Sequence, residues 1–154
     1  MTVEQPIFRR AEPRDLPVLL EFEQQIIKAE RPMDPTIRQG RVSYYDLAAL
    51  VRDPDARVVV AQLGGRVVAS GFAVVKRARP YLDHGEYAYL GFMYTEPEHR
   101  GRGINTGIVE DLKQWARDRG LPEVRLTVYS GNLPAIKAYE KTGFKGHILE
   151  MRLE

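Results

Sequence analysis

Pro97-Glu98-His99-Arg100-Gly101-Arg102-Gly103-Ile104-Asn105-Thr106-Gly107 is the stretch of this 154-residue chain whose residue types could do chemistry. An aromatic-rich strand pattern runs into a loop with two glycines and two arginines, and that loop opens directly into a helical pattern. Glycines let the backbone approach a ligand closely, and successive N–H groups at a helix N-terminus attract anions. Arg100 and Arg102 add charge-assisted donors that suit phosphate. The stretch therefore reads as a diphosphate cradle or, more plainly, as a tight strand-to-helix turn with two solvated arginines. Two narrower phosphate motifs fail. A P-loop needs Gly-Lys-Ser/Thr, which the chain lacks. A dinucleotide turn wants an acidic residue about 20 positions on. Leu126-Thr127-Val128-Tyr129 stands there instead.

The elements that must position this loop can be read from periodicity. Ile7–Arg10 predicts a short strand, and Glu12-Pro13-Arg14-Asp15 starts a helix carrying Leu16, Leu19, Leu20, Glu23, Ile26 and Ile27 at helical spacing. Pro32 and Pro35 end it, because proline disfavours helical geometry in the preceding residue. A shorter helix is expected over Tyr44–Val51. Arg57–Leu63 and Arg66–Lys76 form strands around Gly64-Gly65, which has the length and chemistry of a two-residue hairpin turn. Glu86–Thr95 is a third long strand. Ile104, Ile108, Leu112, Trp115 and Ala116 mark a helix closed by Gly120. Glu123–Tyr129 then reads as a strand, Leu133–Thr142 as a helix and Lys145–Arg152 as a last strand. An antiparallel meander feeding a β-α-β unit implies one mixed α/β domain over residues 1–154. It would be a twisted, mostly antiparallel sheet of about six strands flanked by about four helices.

Composition narrows the chemistry. Cysteine is absent, which excludes disulfides, thiolate metal sites and a cysteine acyl-enzyme. His84, His99 and His147 show no metal-ligand spacing, so no metal is expected. The net charge of +2 is too balanced to indicate nucleic acid, and the basic residues are interspersed with acids. The start carries no apolar signal segment, and no run approaches the roughly 20 apolar residues of a membrane helix. A soluble, cytoplasmic protein is the expectation.

The loop and a second motif together resemble the GNAT superfamily of N-acetyltransferases. The family's (Arg/Gln)-x-x-Gly-x-(Gly/Ala) pattern is met by Arg100 through Asn105 except at the last position, where Asn105 replaces a small residue. Asn-x-x-Ala-x-x-x-Tyr-x-x-x-Gly-Phe is met without a gap by Asn132, Ala135, Tyr139, Gly143 and Phe144. The motifs stand in the expected order, and the resemblance spans nearly the whole chain. It implies binding of acetyl-CoA as cosubstrate and transfer of its acetyl group to an amine. Backbone groups of Met93, Tyr94 and Thr95 would pair with the pantetheine arm. The amides of Arg100, Gly101, Arg102, Gly103, Ile104 and Asn105, with Thr106, would hold the diphosphate, and Asn132 would contact the arm near the thiol. Dimers are common in the family, but no stretch here identifies an interface.

Amine attack on a thioester needs a neutral amine, a polarised carbonyl and a proton for the departing thiolate. Tyr139 matches the family's general acid, and a phenol of pKa near 10 suits a thiolate whose conjugate acid lies near 8.5. Its plainer reading is a core tyrosine on an apolar helix face. Many members carry a basic glutamate on the fourth or fifth strand. Here those places hold Gly91–Phe92 and Thr127, so no base is assigned. Tyr89 shares a strand face with Gly91 and is expected to project into an acceptor pocket that Gly91 leaves open. Glu86, of opposite parity, is a weaker candidate. Glu30 and Asp34, acids in a proline-bounded loop, would attract an ammonium group, with Tyr44 and Tyr45 as an aromatic wall. Solvated loop charges are their plainer reading. The absence of cysteine favours direct transfer in a ternary complex. A module that binds the cofactor without turnover is the rival reading.

Overall fold

A computed structural model describes residues 4–154. The chain runs β1 (Ile7–Arg10), α1 (Leu16–Glu30), α2 (Leu47–Arg52), β2 (Ala56–Leu63), β3 (Arg66–Arg77), β4 (Glu86–Thr95), α3 (Ile104–Asp118), β5 (Val124–Leu126) and α4 (Leu133–Lys141). One sheet forms in the order β1-β2-β3-β4-β5, with every pair antiparallel except β4–β5. Both faces of its centre are covered, which is why β2 and β3 read as near-continuous apolar runs. Val58 and Val60 join Leu19, Phe22, Leu47 and Phe72 in one cluster. Val59, Ala61 and Ala73 join Ile104, Ile108 and Leu112 in the other. The glycine pair makes the hairpin as expected, with Leu63 opposite Arg66. No helix among the described residues is long and apolar enough to cross a membrane.

Three expected elements differ. The second helix begins at Leu47 rather than Tyr44, because Asp46 caps it by accepting from the Ala49 N–H at 3.1 Å. The amides of Tyr44 and Tyr45 are instead held by the Glu23 carboxylate at 3.0 and 2.9 Å. The strand expected over Glu123–Tyr129 contracts to Val124–Leu126. The sixth strand, Lys145–Arg152, does not form, so the sheet has five strands. Ile148, Leu149 and Met151 lie exposed on that segment. Its tie to the body is polar: Arg152 donates to Asp34 at 3.1 Å and to Thr36 at 3.2 Å.

Strand β4 carries the irregularity that shapes the site. Phe72 faces Gly91 while Ser70 faces Tyr94, so β4 holds one extra residue across this span. The extra residue is accommodated at Phe92, which takes φ 58°. A positive φ is uncommon for a bulky side chain and marks a bulge held by its surroundings. The Ser70 hydroxyl donates to the Phe92 carbonyl at 3.1 Å and fixes it.

Candidate active site

Strand β5 pairs with β4 only from Ala88 to Leu90. Past that point β4 runs on through Thr95 without β5, so its outer edge from Gly91 onward opens into a wedge beside the chain leaving β5. Met93 packs toward α3, Tyr94 packs on Phe22 with ring centroids 4.7 Å apart, and Thr95 is buried. The main chain of Tyr94 and Thr95 pairs inward with Ser70 and Ala69 of β3, which leaves the other edge for an extended ligand.

A short 3-10 turn over Pro97–His99 leads from β4 to the glycine loop. Gly101 and Gly103 take φ 77° and 81°, a region glycine enters without the penalty other residues meet. Gly103 is the N-cap of α3 and supplies no side chain to it. The first intrahelical bond runs from the Gly107 N–H to the Gly103 carbonyl at 3.1 Å. The N–H groups of Ile104, Asn105 and Thr106 are therefore without intrahelical acceptors, and they stand at the positive end of the helix dipole. Arg102 is exposed. Arg100 instead folds back: its Nε donates to the Thr95 carbonyl at 2.8 Å, and its guanidinium lies 5.7 Å from the Tyr94 ring centroid. It braces the loop against β4. Glu96 and Glu98 would oppose an anion here, but Arg66 pairs with Glu96 at 2.5 Å and lies 3.6 Å from Glu98.

The other side of the wedge comes from α4 and the segments after α1 and β5. Asn132 caps α4 by accepting from the Ala135 N–H at 3.3 Å, so its carbonyl is occupied and its NH2 group is free to donate. Tyr139 packs edge-on against Phe144 with ring centroids 6.1 Å apart. Burial, and secondarily the charge of Glu30, push its phenol up to about 12, so it stays protonated through the neutral range.

Glu30 and Asp34, paired as ammonium attractors in the sequence, have different fates. Asp34 accepts from Thr36, Arg152 and Tyr129, the last at 3.1 Å, and these donors hold its carboxyl far below the usual range. Glu30 makes no ion pair among the described residues. Burial raises its pKa against a smaller opposing contribution from Tyr44. Tyr45 packs edge-on against Phe72 at 4.9 Å, and burial pushes its phenol up to about 12.

The pocket expected above Gly91 is not open. A Cβ at Gly91 would meet the Phe72 ring at 2.8 Å, so that space is filled. Tyr89 donates to the Thr127 hydroxyl at 2.8 Å, with the Lys76 ammonium 3.8 Å from its ring centroid. This bond ties β4 to the chain leaving β5. Sequence reasoning missed Glu23, Tyr129 and Arg152 as site-builders. For Glu23 a signal existed, since it stands in the apolar stripe of α1 and is fully buried. For Tyr129 and Arg152 no local signal existed.

Residues 21–144 match the model of the acetyltransferase (GNAT) family. Streptothricin acetyltransferase of Streptomyces lavendulae is 34% identical over 60% of this chain and 46% of its own length. The chain thus spans less than half of that relative. A variant of the BH1408 protein of Bacillus halodurans superposes with a TM-score of 0.86 at 19% identity, over 96% of this chain and 98% of that one. A predicted acetyltransferase of Clostridium acetobutylicum, solved with acetyl-CoA, superposes with a TM-score of 0.70 at 21% identity, over 97% and 96%. At those identities the superpositions speak to fold alone. The family match covers the bulged strand, the glycine loop and the Asn132–Phe144 motif, and with it the chain belongs to the acetyltransferase (GNAT) family.

Proposed function

We propose that this chain binds acetyl-CoA and moves its acetyl group to a primary amine by direct attack in a ternary complex. The observation that carries the reading is the uncapped N-terminus of α3 set at the mouth of the β4–β5 wedge. An extended arm and its diphosphate fit a free strand edge followed by free helix amides. In this reading the edge groups of Met93, Tyr94 and Thr95 bind the pantetheine amides. The amides from Arg100 through Asn105 hold the diphosphate with Thr106 and Arg102, and the Asn132 NH2 orients the arm near the thiol. A strand N–H at Tyr94 is the donor that would polarise the thioester carbonyl.

Tyr139 is the general acid: its phenol is protonated across the working range and gives its proton to the departing sulfur. Glu30, Tyr44 and Tyr89 line the acceptor side, while Asp34 holds the wall they stand on. Streptothricin, the acceptor in one relative's name, is a fitting first amine to test. Self-association is an expectation from the family resemblance and is tested by sedimentation. No nucleic-acid or membrane partner is part of this reading.

Calorimetry with CoA and thiol release from acetyl-CoA over an amine panel test it together. Binding with turnover is expected, and Gly103→Val should abolish binding by forcing a β-branched residue to φ 81°. Absence of heat with CoA sinks the reading. Tight binding without thiol release from any amine favours a cofactor sensor instead.

A further inference from the structure

Resting on the acetyltransferase reading, we propose that Glu30 is the group that takes the proton from the incoming ammonium, in place of the strand glutamate this chain lacks. The strand positions are closed to that role. Phe72 covers Gly91, and the Thr127 hydroxyl is engaged by Tyr89. Glu86 sits at the far end of β4, exposed and opposite Arg77. Asp34 is saturated by Arg152, Thr36 and Tyr129. Glu30 is left, at the last position of α1, half-buried and without a cationic partner among the described residues.

Its surroundings suit the task. The Tyr44 hydroxyl is buried without a conventional hydrogen-bond partner and lies beside the Glu30 carboxylate. The charge of Glu30 adds to burial in raising the phenols of Tyr45, Tyr129 and Tyr139, so the carboxylate lies on their side of the molecule. The neighbouring cations are turned elsewhere. Arg31 donates to the carbonyls of Arg38 and Gly40, and Arg152 to Asp34. Glu23, on the same helix, accepts both the Tyr44 and Tyr45 amides on one oxygen and so sets where Tyr44 stands, while its other oxygen is buried without a partner among the described residues. Burial moves the Glu30 pKa upward, toward the range in which a carboxylate can accept a proton and return it to water.

The proton balance closes. R–NH3+ gives one proton to the Glu30 carboxylate, and the freed lone pair forms the N–C bond to the acetyl carbon. The C–S bond breaks, and the thiolate takes the Tyr139 proton. The tyrosinate recovers a proton from the nitrogen as the amide forms, and Glu30 releases its own to solvent.

The test compares wild type, Glu30→Gln and Glu30→Asp with two kinds of nucleophile. Streptothricin, lysine and spermidine arrive as ammonium ions, whereas an alkoxyamine is neutral at pH 7. With the ammonium acceptors, Glu30→Gln should lose about 10²–10⁴-fold in kcat/KM, the usual worth of a positioned base. Its rate should climb with pH until the free amine forms, while wild type reaches its plateau earlier. Alkoxyamine acetylation should fall at least tenfold less than ammonium acetylation, CoA binding should hold, and Glu30→Asp should recover part of the loss. Equal loss for both nucleophiles, or a pH profile unmoved by Glu30→Gln, overturns the proposal and leaves Glu30 a binding residue. Wild type that binds CoA yet acetylates none of the four sinks the transfer reading itself.

Discussion

The chain up to Leu126 and the chain after it are built differently. Both apolar clusters take all their buried members from residues between Ala11 and Leu112. After Leu126 the one buried residue is Thr142, and α4 contributes none. The later part is fastened by separate ties: Tyr129 and Arg152 to Asp34, Lys113 to the Thr142 carbonyl at 3.2 Å, and Phe144 against the α3 cluster. The first part carries the strand edge and the helix amides; the second carries Asn132 and Tyr139. The proposed cradle therefore lies in the well-packed part and the proposed general acid in a more weakly anchored one, and regions with few buried contacts open at lower free energy than the core.

Breaking each part should therefore give distinct signatures. In the catalytic arm, Tyr139→Phe is expected to lower kcat by about 10²–10⁴-fold while calorimetry shows CoA affinity unchanged. An equal loss in affinity would place Tyr139 in the cradle instead. In the body, Ile108→Ala removes a fully buried side chain and should cost about 2–5 kcal/mol in urea unfolding. Leu133→Ala, on a side chain 59% exposed, should stay within about 0.5 kcal/mol.

Asp34→Asn tests the tie itself. Hydrogen exchange should quicken across residues 127–154 while the midpoint of global unfolding holds. Wild type should show the same local loosening on acidification. The folded-state pKa of Asp34 is depressed, so its contribution is present above the unfolded value near 3.9 and fades as pH falls below it. A global drop in midpoint would show that the two parts are one cooperative unit.

The smallest effect concerns the approach to β4 and β5. His84 bridges Asp83 at 2.7 Å and Glu123 at 2.8 Å, and these carboxylates raise its pKa. A raised histidine stabilises below its unfolded value near 6.5, and that contribution disappears as pH rises through the folded value. Protection from exchange at Gly85–Ala88, relative to the intrinsic amide rate, should fall modestly above neutrality in wild type, and His84→Gln should remove that pH dependence. A flat wild-type profile would sever this link.

The glycine loop, the α3 stripe and the Asn132–Phe144 motif were legible because each rests on contacts a few residues apart, where helical period and glycine conformation leave a printed trace. The α2 start was misplaced because Glu23 reaches across 21 and 22 positions to the Tyr44 and Tyr45 amides, which a window of local spacing does not contain. The last strand expected from the sequence does not form, for the opposite reason. Leu149, Met151 and Leu153 alternate as a strand should, yet period two specifies a face and not a neighbour to pair with.

Residue order alone determined that a glycine loop opens a helix behind a long strand, and that a tyrosine stands near the end of a later helix. Only the tertiary structure decided which of two nearby acids is free. Arg152, 118 positions away, neutralises Asp34, while Glu30 is left half-buried among phenols. Charge and burial are properties of what surrounds a side chain in space, and chain neighbours supply little of either.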